Sequence, residues 1–354
     1  ADGQTQLDSI DPGMIQSIEI LRGPSSSLYG NASGGVVSIN TQEGSELGVD
    51  SKLRLELGQF GLEKYQFKLR GISGPINYRI YTSNLKWEGY RDHSATSSFL
   101  VDGKFSWETG SDSDWSFIIS HFYSPRADDS GGLTEVQVES NPQGASPRNI
   151  LFDAGEKVKN TNFGLIYKKG LRGQQKFFLT ANLNRRFFNN KLPFTSGGSV
   201  EFERLAPEIG VRSVIDTNLL DRPGRLIAGA DFNFQRDDRK RFDNNNGIQG
   251  NKTIDRLETV YSLGPYVRTE WKWAPHLELA GGVRFDSVHF DLDDAFLEDG
   301  DQSDSRTLSE WSGTIGAIFH RNDFMHFYTN IATAFETPTT TELTSDPSGG
   351  SGFN

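Results

Sequence analysis

The sequence of 354 residues contains no cysteine, which excludes a disulfide framework, a thiolate nucleophile and any cysteine-ligated metal. No segment approaches the roughly 18 consecutive apolar residues that a membrane-crossing helix needs, so a helical membrane protein is excluded. A β-barrel is not, because its strands alternate and average out as polar. Positive charge is in deficit, with a formal net charge of −11, and nucleic acid is therefore not an expected partner. The six histidines (93, 121, 276, 289, 320 and 326) are scattered, with no H-E-x-x-H and no paired spacing. No protein-built metal site is expected from them. The acidic stretch Asp291, Asp293, Asp294, Glu298, Asp299, Asp301 and Asp304 lacks the order of a calcium loop and reads as a solvated loop. No lysine follows Gly30 as a phosphate-binding loop would require, and the G-x-S-x-G elbow is missing. An enzyme is not expected.

Glycine, aromatics, Asn, Ser and Asp are what the chain has instead, and this composition favours strands joined by many turns. Residues 1–44 differ from the rest. Met14 to Leu21 and Val36 to Asn40 read as two short strands, separated by a turn-rich stretch that begins at Gly23 and Pro24. From Ser51 onward period-two alternation dominates. Tyr261, Leu263, Pro265, Val267, Thr269, Trp271 and Trp273 share one face, opposite Ser262, Gly264, Tyr266, Arg268, Glu270 and Lys272. Phe99, Val101, Gly103, Phe105 and Trp107 likewise oppose Asp102, Lys104, Ser106 and Glu108.

Tight turns fall at Gly74-Pro75, Gly110 to Asp114, Leu171 to Gln174, Asp221 to Gly224, Ala274 to His276 and Arg321 to Asp323. They alternate with mostly long polar links, expected at 89–97, 124–160, 188–207, 237–255, 290–306 and from 336 onward. Outer-membrane barrels have this asymmetry, with short turns on the periplasmic side and long loops outside. Trp107, Trp115, Trp271 and Trp273 lie beside tight turns, where an aromatic girdle belongs. A soluble sandwich or propeller is the alternative, but its strands average five or six residues, and no blade repeat is visible. The fold class expected is all-β: an antiparallel transmembrane barrel, with about thirteen strands present.

Two segments carry a family resemblance. Ile15 to Thr41 contains Ile18-Glu19-Ile20-Leu21-Arg22-Gly23-Pro24, then Ser27-Leu28-Tyr29-Gly30, then Gly34-Gly35-Val36-Val37-Ser38-Ile39. It resembles the end of the plug domain of TonB-dependent outer-membrane receptors. Tyr328, Asn330, Phe335, Pro338, Thr339, Glu342 and Leu343 resemble the family's Y-x-N-x-x-x-x-F-x-x-P-T-x-x-E-L barrel segment. The resemblance implies the C-terminal part of a plug over 1–44 and the N-terminal part of a 22-stranded barrel over 45–354. The N-terminus shows no signal peptide, and both ends are expected to be cuts through a longer protein.

The family implies a Gram-negative outer-membrane receptor that binds a scarce solute and imports it with energy from the TonB-ExbB-ExbD complex through an N-terminal TonB box. Ferric siderophores are the commonest cargo, so an iron chelate is expected, and no cofactor held by protein ligands. The segments Asp2 to Gln6 and Asp129 to Thr134 resemble receptors for small quinone cofactors or iron chelates. Cobalamin, haem and glycans remain alternatives, with a passive porin or a barrel enzyme behind them.

In the plug motif the resemblance assigns Glu19 and Arg22 to ion pairs with lumen-facing carboxylates of the barrel. Gly23, Gly30, Gly34 and Gly35 are expected to serve backbone geometry, and Pro24 and Tyr29 complete the motif. Ligand-binding candidates are aromatics and arginines near the outer strand ends: Trp87, Tyr90, Arg91, Phe122, Tyr123, Arg126, Arg186 and Phe188. In the run Arg185-Arg186-Phe187-Phe188, alternation turns Arg186 to the lumen with Asn182 and Asn184. Arg185 is expected to reach outward to lipopolysaccharide.

Overall fold

A computed structural model describes residues 7, 9–22, 30, 32–44, 48–171, 174–344 and 352–353. Two antiparallel sheets make up the fold. The smaller pairs β1 (Ile15–Arg22) with β2 (Gly35–Thr41), placing Ile18 opposite Ile39 and Ile20 opposite Val37. Gly23, Pro24 and Tyr29 of the plug motif lie outside the described residues. At Gly35 φ is 136°, and a Cβ would come within 2.3 Å of the Leu21 carbonyl, so only glycine fits. Gly30 also has positive φ, at 68°, against the Arg284 guanidinium. Gly34 meets nothing within 4 Å, so no steric demand for glycine exists there.

The larger sheet holds thirteen strands in sequence order, each paired with its chain neighbours. They are β3 (Asp50–Gly58), β4 (Leu62–Ser73), β5 (Ile76–Trp87), β6 (Thr96–Glu108), β7 (Ser113–Asp128), β8 (Gly155–Leu171) and β9 (Gln175–Lys191). Next come β10 (Ser199–Leu219), β11 (Arg222–Asn245), β12 (Ile248–Ala274), β13 (Leu277–Asp294), β14 (Asp304–Asn322) and β15 (Met325–Ala332). The two edges, β3 and β15, do not pair with each other. Short helices α1 (Glu135–Ser140) and α2 (Pro147–Leu151) lie between β7 and β8, and α3 (Thr340–Leu343) follows β15.

Alternation separates two environments. Leu263, Val267, Val283, Trp311 and Ile315 are exposed on the outer face, while Tyr266, Arg284, Asp286 and Ser312 are buried on the inner one. Ion pairs satisfy the inner charges. Arg284 reaches Asp231 at 2.7 Å and Asp286 at 2.8 Å, and Arg79 pairs with Asp102 with both side chains buried. Trp107, Trp115 and Tyr167 stack beside the short turns, and Trp271 meets Trp273 edge-on at 4.7 Å.

Several expected loops are strand. The link placed at 237–255 shrinks to a turn at Asn246-Gly247, because β11 runs 24 residues and β12 runs 27. That at 188–207 shrinks to 192–198, that at 290–306 to 295–303, and that at 124–160 to 129–154. A strand of 27 residues spans about 90 Å at the usual rise, whereas about ten residues cross a bilayer. In a membrane-crossing strand the surplus would stand outside the bilayer, where no lipid demands an apolar outer face.

Candidate functional site

Strands β4 to β6 of the inner wall carry the join to the plug segment. Asp11 caps the single 3-10 turn at Pro12–Met14 and accepts from the Gly13 amide at 2.8 Å. From the wall it receives Lys64 Nζ at 2.9 Å and Gln66 Nε2 at 2.9 Å. Burial opposes its ionisation, but the Gly13 amide and the bonds from Lys64, Tyr81 and Ser83 outweigh it and hold the carboxyl below its usual range. Lys68 donates to Gln42 at 2.7 Å, Lys104 pairs with Glu43, and the Gly44 amide donates to Asn77 at 2.8 Å. Met14 packs into one apolar cluster with Tyr81, Leu100, Phe122, Val158, Phe188 and Phe202.

These are the plug-to-wall contacts among the described residues; Glu19 and Arg22 do not take part in them. Both of those are exposed, and no ion pair links either to the wall among the described residues. Arg22 instead borders a cleft that Asp216, Glu270 and Glu278 also line, whereas the turn at Asp11 lies directly against the wall.

Further round the wall, toward the outer ends of β9 to β12, two cross-strand rows face the lumen. Phe188, Phe202, Arg239 and Arg256 are direct neighbours across the four strands. One step nearer the short turns, Arg186, Arg204, Asp237 and Glu258 form the second row. Opposed like charges destabilise a sheet, and Arg186 faces Arg204 just as Arg239 faces Arg256. Carboxylates in the lower row offset this repulsion. Arg204 makes a two-pronged bond to Asp237, with both contacts at 2.8 Å. Glu258 takes Arg256 Nε at 2.7 Å, Arg239 Nε at 3.2 Å and the Thr340 hydroxyl at 2.7 Å. Asp237 and Glu258 are fully buried, so these bonds replace lost water.

Phe202 sits at the centre. The guanidiniums of Arg186, Arg204 and Arg239 lie 5.4, 5.2 and 5.2 Å from its ring, and Phe188 is 5.2 Å away. Each is within cation–π range. The rows hold four guanidiniums and two carboxylates on an aromatic floor, an arrangement suited to a planar or chelated anion.

Of the predicted ligand residues, Phe122, Arg186 and Phe188 are buried on this wall. Trp87 is half-buried at the end of β5. Arg91 is a loop pin: it donates to the carbonyls of Gly144 at 2.9 Å, Gly131 at 2.8 Å and Ser130 at 3.3 Å. Tyr90 stacks edge-on with Phe60, Tyr123 is exposed on the outer face, and Arg126 pairs with Asp128 at 2.6 Å. Arg185 points outward as expected and meets Glu203 at 3.4 Å. Sequence reading missed Phe202, Arg204, Asp237, Arg239, Arg256 and Glu258. The signal was present, since 237, 239 and 241 alternate with 236, 238 and 240 within the charged run.

The segment after β15 folds back into the lumen. Phe335 and Leu343 pack with Val288 and Phe290, while Thr339 and Glu342 form the capping box of α3. The Ser33 hydroxyl of the plug segment donates to Glu336. A cleft of about 810 Å³, bordered by Gly30, Asp231, Tyr266, Arg284, Asp286 and Phe335, lies between plug segment and wall. The histidines are less scattered than their spacing suggests: the β14–β15 hairpin brings His320 and His326 into contact.

Residues 45–354 match the family model described as TonB dependent receptor-like, beta-barrel, and residues 1–36 match the TonB-dependent Receptor Plug Domain. The metal-pseudopaline receptor CntO of Pseudomonas aeruginosa is 27% identical over 175 residues, covering 48% of this chain and 21% of that protein. The ferric citrate transporter FecA superposes with a TM-score of 0.81 at 15% identity, over 93% of this chain and 51% of that one. The ferric yersiniabactin uptake receptor FyuA of Yersinia pestis gives 0.71 at 17% identity, over 92% and 54%. The chain thus spans about half the length of these solved structures and a fifth of the curated relative.

Proposed function

The chain belongs to the TonB-dependent receptor family of the Gram-negative outer membrane, and on that premise we propose that its receptor imports an anionic metal chelate, a ferric siderophore foremost. The observation that carries this reading is the pair of rows around Phe202, with four guanidiniums facing the lumen near the outer rim. Guanidiniums desolvated on an aromatic floor favour carboxylate, catecholate or hydroxamate oxygens over neutral solutes. The relatives support it by their own cargo, namely metal-pseudopaline, ferric citrate and ferric yersiniabactin.

In this reading the cargo settles on the rows from outside, and the TonB-ExbB-ExbD complex supplies the work that moves the plug. Lys64–Asp11, Lys104–Glu43 and Lys68–Gln42 are then contacts that must part or shift, and the cleft beside Gly30 marks where the path begins. Outward-facing residues such as Val267 meet lipid, and Arg185 with Glu203 meets lipopolysaccharide.

The test is uptake by cells whose only receptor is the intact parent. Iron supplied as a panel of chelates should accumulate for anionic ones, and collapse of the proton-motive force should abolish it. Accumulation that persists after collapse, or that ignores the chelate's charge, would contradict the proposal.

A further inference from the structure

His320 near the end of β14 and His326 at the start of β15 stand directly opposite each other across their hairpin. Their Nδ1 atoms are 2.8 Å apart, with ring centroids 4.8 Å apart and planes at 77°. Both lie on the lumenal face at the short-turn rim, since His320 shares its side of β14 with buried Ser312 and His326 is its direct cross-strand partner. His320 Nε2 faces Glu278 Oε1 at 3.6 Å, and Glu278 is itself 3.8 Å from Lys272.

We propose that His320 and His326 form a two-imidazole site for a divalent transition-metal ion, with Glu278 orienting His320. The contact between two Nδ1 atoms needs one proton and one lone pair. When both rings carry their proton on Nε2, both Nδ1 lone pairs are free, and a small turn of the rings lets them share a cation in place of the hydrogen bond. The Glu278 carboxylate, 3.6 Å from His320 Nε2, lies a small shift away from accepting the Nε2 proton, as the outer carboxylate of a carboxylate–histidine–metal arrangement does.

By the usual order of divalent-metal affinity for imidazole ligands, copper(II) should bind ahead of zinc(II). Among the described residues no group of three or more His, Asp or Glu is arranged to hold a metal, so the remaining positions are left to water or to donors of an arriving chelate. Room exists for such donors: Glu278 borders a cleft of about 1360 Å³, also lined by Leu21, Arg22, Ile318 and Tyr328. The site does not depend on the rows around Phe202 or on the identity of the cargo.

The intact receptor, purified without a polyhistidine tag and titrated with copper(II) chloride in detergent, provides the test. Electron paramagnetic resonance should show nitrogen splitting from two imidazoles at one ion per receptor. Calorimetry should show a micromolar site that binds zinc at least tenfold more weakly. His320→Gln and His326→Gln should each weaken copper binding at least tenfold and leave a one-imidazole spectrum, while His289→Gln, whose ring bonds to Thr307, should change nothing. Glu278→Gln should weaken it a few-fold. Heat-modifiable migration on a gel verifies that each variant is folded, and the wild-type spectrum decides alone where one is not. A wild-type spectrum without two imidazoles, or an affinity indifferent to both substitutions, would overturn the site.

Discussion

Two sectors of the inner wall differ in the cation they use. Strands β4 to β6 present Lys64, Lys68 and Lys104, each meeting one oxygen of the plug segment. Strands β9 to β12 present Arg186, Arg204, Arg239 and Arg256, packed on Phe202 and tied to Asp237 and Glu258 within the wall itself. Lysine is a hydrated point charge on a flexible stem, suited to a contact that forms and parts. Arginine is a planar fork that stays charged, stacks and holds its geometry. Under the proposed function, the contrast separates a sector suited to releasing the plug from one suited to keeping its shape before a ligand.

The largest effect should come from breaking the rigid sector. Asp237→Ala removes the fully buried carboxylate that Arg204 grips with two contacts and leaves Arg239 with Glu258 alone, and losing one partner of such a network costs about 3–5 kcal/mol. The intact receptor should lose heat-modifiable migration at a clearly lower temperature, and an unchanged temperature would show the rows to be mere decoration. Lipid exposure comes next. Val267→Arg on the outer face should cost about 2–4 kcal/mol if it lies near the midplane. Arg introduced at Ser262, on the lumenal face of the same strand, should be tolerated far better in the same unfolding assay.

The releasable sector should respond least. Asp11→Ala should cost about 1–3 kcal/mol, read as faster proteolysis of the plug in the intact receptor. Its pH dependence has a definite sign. The folded pKa of Asp11 is depressed, so its contribution is full above the unfolded value near 3.8 and is lost as pH falls through the lower folded value. Wild-type plug protection should therefore weaken only in strong acid, and the Asp11→Ala receptor should lack that acid-dependent step.

Much of this was legible in the residues. Within the bilayer, lipid enforces an apolar outer face, so alternation revealed the thirteen strands and oriented Val267, Tyr266, Arg185 and Arg186. Above the bilayer nothing enforces it. Arg236, Asp238 and Lys240 face water outside while Asp237, Arg239 and Arg241 face inward, so the run resembled a loop and the rows were hidden. Cross-strand register was the second blind spot. It pairs His320 with His326 and Arg239 with Arg256, and no spacing along the chain records it. Arg91 was picked out for its chemistry, yet its donors are taken up by three loop carbonyls.

The central claim, that the arginine rows hold the cargo, is tested most directly by two neighbouring substitutions. Arg186 is buried beside Phe188 and Phe202, and Arg185 is 73% exposed on the opposite face. A panel of ferric chelates, titrated calorimetrically into the intact receptor, identifies the tightest ligand. Arg186→Ala should then weaken that ligand by about ten- to a hundredfold, and Arg185→Ala should leave it nearly unchanged. Equal losses at both positions, or no loss at Arg186, would contradict the account.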